Sequence, residues 1–213
     1  MESFTNDAGS KIVSHLIRII QKNKQYLGEI DGAIGDGDHG INMNKGFTMC
    51  EQELANHPGN LAYSLKMLSK ILMTDIGGSM GPLYGMFFRS MAAVCEGKAT
   101  IDAAIFGEML KASETGVREI GVAEVGDKTM LDTLVPAVKA FHEASAASKS
   151  FLEALEAMKV AAMKGRDSTK NMIAKVGRAS RLGERSRGVL DAGATSCCLI
   201  IESLADSIKA LIS

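Results

Sequence analysis

The residues with the clearest chemical potential are three aspartates in one glycine-rich stretch, DGAIGDGDHG at residues 31–40. The four glycines of this stretch predict a tight loop and argue against a regular helix. Such a loop can direct Asp31, Asp36 and Asp38 at one point, where their charges repel unless a cation lies between them. Oxygen ligands favour a hard cation, Mg²⁺ or Ca²⁺. We therefore predict a metal site, with a solvated turn as the alternative because Asp and Gly are common turn residues.

The composition of the chain limits the classes of function that it can serve. Its 213 residues, 46% hydrophobic and 23% charged, suit a globular protein, and we predict a single domain spanning 1–213. A net charge of −1, no tryptophan and 5% aromatic residues argue against direct binding of nucleic acid. The four cysteines form no C-x-x-C pair, no signal-peptide pattern is present, and no segment reaches the ~18 apolar residues of a membrane span. We therefore expect a cytoplasmic protein with no membrane segment.

Apolar residues recur at helical spacing along nearly the whole chain, and no strand pattern of useful length is present. The predicted fold is all-α, a barrel or bundle of about eight antiparallel helices. The predicted helices cover about 6–26, 39–56, 60–73, the segment that Pro82 opens, 100–119, 128–144, 150–164 and the segment from 190. Alternate loops of such a bundle lie at the same end. The loops at about 31–39, 75–81, 121–127 and 173–188 should therefore meet in one site.

Two of these loops suit a phosphate. The glycines at 77–81 precede a predicted helix, whose exposed N–H groups and positive dipole end favour an anion, although a simple turn explains them equally well. Residues 177–188, here called the arginine segment, carry four arginines, which clamp phosphates with a planar fork of donors. The alternative for the arginine segment is a solvated surface loop. A Mg-nucleotide site is favoured over Ca²⁺, because the aspartate spacing does not match an EF-hand.

The other two loops give weaker signals. Residues 121–129 resemble a phosphate-binding P-loop, but Asp127 interrupts the required Gly-Lys-Thr sequence. Asp127 is better interpreted as the N-cap of the next helix, with Lys128 in its first turn and a functional role for that lysine left open. Asp191 is either a helix cap or an acceptor for a ligand group. Met80 and Met130 lie beside these loops and could line an adenine pocket.

Five segments together resemble the nucleotide-binding L subunits of dihydroxyacetone kinases. They are IGDGDHG at 34–40, GGSMGP at 77–82, GDKTM at 126–130, GRAS at 177–180 and DAGA at 191–194. They occur in the family's order and cover essentially the whole chain. The resemblance implies a barrel of eight antiparallel helices with the nucleotide at one end, which agrees with the helix count above.

The resemblance also implies roles for individual residues. Asp31, Asp36 and Asp38 would hold two Mg²⁺ ions that bridge to the phosphates of ADP or ATP, and no residue is assigned as an acid or base. The residues expected to contact the nucleotide are His39, Gly40, Ile41, Asn42, Ser79, Met80, Gly121, Met130, Arg178, Asp191, Ala192 and Gly193. All of these positions carry the residue type that the family pattern requires.

ATP-dependent members of this family also carry a dihydroxyacetone-binding domain, and we expect no such domain here because 213 residues leave no room for it. The chain therefore resembles the separate subunit of a phosphotransferase-dependent kinase, in which ADP stays bound as a cofactor. A phosphohistidine on an M subunit would rephosphorylate that ADP to ATP, and the γ-phosphoryl group would pass to dihydroxyacetone on a K subunit. Two alternatives remain open. One is a kinase that exchanges ATP freely and serves another small hydroxy-ketone, and the other is a nucleotide-loaded module that binds a transcription regulator.

Overall fold

The computed structural model describes residues 2–212, and within this range nine α-helices and one small sheet account for the regular structure. The helices are α1 (Ser10–Lys22), α2 (Lys24–Ile34), α3 (His39–Asn56), α4 (Leu61–Asp75), α5 (Met80–Cys95), α6 (Ala103–Ile120), α7 (Leu131–Ala146), α8 (Phe151–Ser168) and α9 (Ala192–Ile212). Two 3₁₀ segments, Thr169–Asn171 and Arg178–Ser186, lie between α8 and α9. The predicted all-α class is confirmed. That one domain spans 1–213 stays a prediction, and residues 1 and 213 lie outside the described range.

The helices pack as neighbours in chain order and close into a ring. Helix α4 packs against α5, α5 against α6, and α7 against α8, while α9 packs against both α1 and α8 and so joins the two ends of the bundle. Aromatic rings fill the interior. Phe87 and Phe88 of α5 meet edge to face with ring centroids 5.0 Å apart, and Phe106 of α6 packs in the same way on Phe141 of α7 at 5.4 Å.

The first predicted helix, 6–26, is wrong in its bounds. The chain turns at Asn23, so α1 and α2 are separate helices, and α2 continues through Asp31 and Gly32 to Ile34. The glycines of this stretch lower its helix propensity, but Leu27, Ile30 and Ile34 lie on one face of α2 and are buried in the core. Tertiary burial therefore extends a helix into a segment for which local sequence predicts a loop. The link between α2 and α3 is only 35–38.

The small sheet was not predicted. Strand β1 (Ser3–Thr5) pairs antiparallel with β2 (Thr100–Asp102), with Phe4 opposite Ile101. Three-residue strands are too short to show an alternating pattern, so the sequence carries no usable signal for them. No helix within residues 2–212 is both long and apolar enough to span a membrane.

Side-chain caps explain where several helices begin. The Asn60 side chain caps α4, because it accepts a hydrogen bond from the Tyr63 amide at 3.0 Å. A capping box begins α8, with Ser150 and Glu153 bonded reciprocally.

The predicted start of α7 is wrong. The helix begins at Leu131, not at Lys128, and Asp127 does not cap it. The buried carboxylate of Asp132 instead accepts the amides of Gly126 at 2.5 Å and Thr129 at 2.7 Å, which holds the preceding segment in a turn. Lys128 has a positive φ of 64° inside this turn, so it lies outside the helix.

Candidate functional site

The three aspartates converge at the junction of α2 and α3. Asp31 lies in the last turn of α2, Asp36 lies in the link, and Asp38 immediately precedes α3. One carboxylate oxygen from each lies within 4.8 Å of the others. The chain reverses direction at Gly37, whose φ of 77° is a conformation that favours glycine. The predicted convergence is therefore present, although Asp31 is presented by a helix and not by a loop.

The electrostatics of this acidic cluster, Asp31, Asp36 and Asp38, favour a cation. Partial burial raises the pKa of Asp38, and the negative charges of Asp36 and Asp31 raise it further. Mutual repulsion of this kind is relieved when a positive charge enters the cluster. The donor set contains only carboxylate oxygens, which are the ligands that Mg²⁺ and Ca²⁺ prefer. The cluster can therefore hold a hard divalent cation.

The arginine segment reaches the acidic cluster. Arg178 pairs with the carboxylate of Asp36 through its guanidinium group. Most of the arginine segment is 3₁₀ helix, Arg178–Ser186, where the sequence predicted an irregular loop. The contact between Arg178 and Asp36 agrees with the expectation that the loops at 31–39 and 173–188 lie at the same end of the bundle.

His39 is fixed by a chain of hydrogen bonds that reaches two other helices. Its main-chain amide donates to Asp31 at 3.3 Å, and its ring Nε2 lies 2.8 Å from the Ser196 hydroxyl of α9. The Tyr84 hydroxyl of α5 lies 2.6 Å from Ser196 Oγ and donates to the Gly193 carbonyl at 3.0 Å. Burial lowers the pKa of His39 to about 4, so its imidazole is neutral near pH 7.

Tyr84 and Ser196 are functional candidates that the sequence did not reveal. Tyr84 lies among apolar neighbours in α5, and Ser196 lies beside the two adjacent cysteines of α9. Both look like core positions, and their partner His39 is far away along the chain. Only the packing of α3, α5 and α9 shows that they orient a residue next to the acidic cluster.

The start of α9 meets the start of α7. Asp191 accepts a hydrogen bond from the Ala194 amide at 2.7 Å, so it caps α9, one of the two roles left open for it. Burial raises the pKa of Asp191 to about 7. A side chain at Gly193 would lie 3.5 Å from the Met130 amide nitrogen, so these two predicted site residues are neighbours. Ala192 and Met130 are both nearly fully buried beside them.

The remaining predicted residues lie around the starts of α3 and α5. Asn42 hydrogen-bonds to Asp38, and Ile41 is 57% exposed beside it. Ser79 and Met80 begin α5, and a Cβ on Gly121 would lie 3.5 Å from the side chain of Leu83 in the first turn of that helix. Tyr84 follows Leu83 and links this region to Gly193. A contact series therefore runs from the acidic cluster through His39, Ser196 and Tyr84 to the starts of α5, α7 and α9, around which the predicted residues lie.

Comparison with known proteins identifies the class. The DAK2 domain model matches residues 33–206. The chain therefore belongs to the DAK2 domain family. It is 38% identical over 204 residues to the PEP-dependent dihydroxyacetone kinase ADP-binding subunit DhaL of Escherichia coli K12, a match that covers 94% of this chain and 97% of that protein. The predicted resemblance to the L subunits of dihydroxyacetone kinases, which are phosphotransferases, is confirmed.

Solved structures agree with this assignment. The crystal structure of the dihydroxyacetone kinase of C. freundii in its native form has a TM-score of 0.71 and 25% identity, covering 97% of this chain and 36% of that chain. The complex of that kinase with AMP-PNP and Mg²⁺ has a TM-score of 0.68 and 24% identity, covering 93% of this chain and 33% of that chain. This chain thus spans about a third of the length of that kinase.

Proposed function

We propose that this chain is the nucleotide-binding subunit of a dihydroxyacetone kinase and holds Mg-ADP as a cofactor. The observation that carries the proposal is the meeting of three carboxylates with Arg178 at one end of a helical ring. Clustered carboxylates beside an arginine suit a Mg-phosphate group, which needs cations and donors at the same point. The 38% identity to an ADP-binding subunit over 94% of the chain supports the choice of nucleotide.

Asp31, Asp36 and Asp38 would hold two Mg²⁺ ions. Their oxygen-only chemistry fits that ion. Partial burial, and then the negative charges of Asp36 and Asp31, raise the pKa of Asp38, and a cation would relieve the repulsion between these charges. When bound, the ions would neutralise charge on the phosphates and on the transferred group. The three aspartates then serve as ligands, so none of them is left to act as a base.

The nucleotide would lie along the contact series described above. Its proposed contacts are His39, Gly40, Ile41, Asn42, Ser79, Met80, Gly121, Met130, Arg178, Asp191, Ala192 and Gly193. The amides at the start of α5 suit a phosphate, and Met80 and Met130 offer apolar contact to adenine. The ring of His39, which is neutral near pH 7 and hydrogen-bonded to Ser196, would contact the nucleotide without adding charge.

Arg178 would change partner when the nucleotide binds. Its guanidinium group neutralises Asp36 in the structure described here, and the same group can bind a phosphate oxygen once Mg²⁺ neutralises the carboxylates. The arginine segment would then close over the phosphates and exclude water. Phosphoryl transfer needs mainly positioning and charge neutralisation from the protein, and this arrangement supplies both.

Two partner subunits complete the proposed reaction. A phosphohistidine on an M subunit would give its phosphoryl group to bound ADP and form ATP. A hydroxyl of dihydroxyacetone, bound on a K subunit, would then attack the γ-phosphoryl group and regenerate ADP on this chain. The nucleotide therefore cycles without leaving, which is why a subunit that retains ADP can act catalytically.

Reconstitution with the partner subunits of the same host tests this function. The ADP-loaded chain, in catalytic amount and without free nucleotide, should support formation of dihydroxyacetone phosphate from the phosphohistidine donor. Product that forms only with ATP supplied in stoichiometric amount would contradict the cofactor role and favour a kinase that exchanges ATP. No product under either condition, with binding of a transcription regulator instead, would contradict catalysis and favour the regulatory alternative.

A further inference from the structure

Lys128 is a buried cation that is not among the proposed nucleotide contacts. Its side chain is 2% exposed, and its φ of 64° is a conformation that non-glycine residues rarely adopt. A buried ammonium group is costly unless protein groups replace the water that it loses. The partners of this group therefore indicate what it does.

The ammonium group binds main-chain carbonyls on both sides of the arginine segment. Its Nζ donates to Thr169 O at 2.8 Å and lies 3.4 Å from Met172 O, both of which precede that segment. It also donates to Ser186 O at 2.8 Å and to Val189 O at 2.5 Å, near and just beyond the end of the segment. One side chain thus contacts the main chain on both sides of the arginine segment, which carries Arg178.

Further hydrogen bonds hold the same two ends together. The Gly188 amide donates to Lys170 O at 2.7 Å, and the Ala174 amide donates to Ser186 Oγ at 2.9 Å. Both contacts lie beside carbonyls that Lys128 binds. The ammonium group is therefore the centre of a small network, because it contacts four main-chain carbonyls on the two sides of the arginine segment. The Arg187 guanidinium group adds one contact of the same kind, to Asn171 O at 2.9 Å.

The main chain of Lys128 is itself held in place. Asp132 in the first turn of α7 is 1% exposed. Its carboxylate accepts hydrogen bonds from the amides of Gly126, two residues before Lys128, and of Thr129, the residue after it. These two hydrogen bonds fix the turn in which Lys128 has its positive φ. The main chain of Lys128 is thus held next to α7, and the four carbonyl contacts of its ammonium group connect this turn to both sides of the arginine segment.

We propose that Lys128 is a positioning residue whose ammonium group fixes both ends of the arginine segment, so that Arg178 is held over the acidic cluster. This inference rests on the proposed nucleotide site for its functional consequence. Its structural part, the contribution of the ammonium group to joining residues 169–172 with residues 186–189, does not depend on the proposed nucleotide. An experiment can therefore contradict the structural part or the functional part without contradicting the other.

The test replaces Lys128 by Met, which keeps the length and apolar stem of the side chain but removes its charge and donors. The matched control is Lys170→Met, the same change at an exposed lysine that precedes the arginine segment. Hydrogen exchange of residues 170–189 is measured in nucleotide-free protein, and the dissociation rate of ADP is measured in loaded protein. We expect K128M to raise both by at least about tenfold, and K170M to leave both near the wild-type values.

Each outcome decides one part of the inference. Unchanged exchange in folded K128M would overturn the structural part, and faster exchange with unchanged ADP dissociation would overturn the positioning of Arg178. If wild-type protein binds no ADP, the proposed function fails, while the exchange measurement still tests the structural part. If K128M does not fold, Lys128→Ala is refolded with propylammonium or with neutral propanol. Recovery of folded protein with slow exchange only in propylammonium supports the structural part, and no difference between the two additives overturns it.

Discussion

Asp36→Asn is expected to abolish retention of Mg²⁺ and nucleotide while leaving the helical fold intact. The change removes one negative charge from a cluster whose oxygens lie within 4.8 Å of one another, and it keeps the size of the side chain. It also removes the carboxylate that Arg178 pairs with. Loss of an outer-shell partner typically weakens metal binding by about 10–100-fold, so loss of a direct ligand should cost at least about 100-fold.

Calorimetric titration with Mg²⁺ and ADP measures this loss, and circular dichroism checks the fold. The control is Asp7→Asn, the same change at an exposed aspartate in the turn after β1. We expect D7N to bind like the wild-type protein. Normal ADP content and full activity in D36N would show that the acidic cluster does not hold the metal.

Gly40→Ala is expected to destabilise the protein strongly. A Cβ at Gly40 would overlap the carbonyl oxygen of Lys24 and lie 2.7 Å from the amide nitrogen of Gly28, both in the backbone of α2. Backbone cannot move aside as a flexible side chain can, so α2 and α3 would have to separate. Overpacking of this kind costs about 3 kcal/mol. In a domain of this size that corresponds to a fall in Tm of roughly 6–12 °C.

Thermal unfolding measures the effect, with Gly77→Ala as the control because a Cβ there meets nothing within 4 Å. G77A should unfold near the wild-type temperature. The junction of α2 and α3 also carries the acidic cluster, so G40A should bind Mg²⁺ more weakly as well. A wild-type Tm in G40A would contradict the close helix contact. It would leave Gly40 with the nucleotide-binding role that the family resemblance alone implies.

The sequence predicts which residues form the acidic cluster better than it predicts the helices and contacts that position them. Three aspartates close together in the chain are brought together in space by short-range geometry alone, so Asp31, Asp36 and Asp38 could be selected from their spacing. The helical class followed from apolar periodicity. The contact between Arg178 and Asp36 was expected only in outline, from the rule that alternate loops of a bundle share one end.

The residues that the sequence did not reveal depend on distant packing. Ser196 meets His39 across 157 residues and Tyr84 across 112, and no local pattern marks either contact. Lys128 looked like a first-turn lysine because Asp127 resembled an N-cap. The cap-like interactions came instead from Asp132, and the positive φ of Lys128 directs its side chain to carbonyls 41 to 61 residues away. The break at Asn23 was missed because α1 and α2 form one continuous apolar pattern.

The central claim is that this chain keeps ADP as a resident cofactor. The most direct measurement is to purify the protein without added nucleotide, denature it and assay the supernatant for ADP. The account predicts close to one ADP per chain, and about none from D36N prepared in the same way. A supernatant free of ADP from wild-type protein would contradict the account, and binding of added ADP in the presence of Mg²⁺ would then favour a kinase that exchanges its nucleotide.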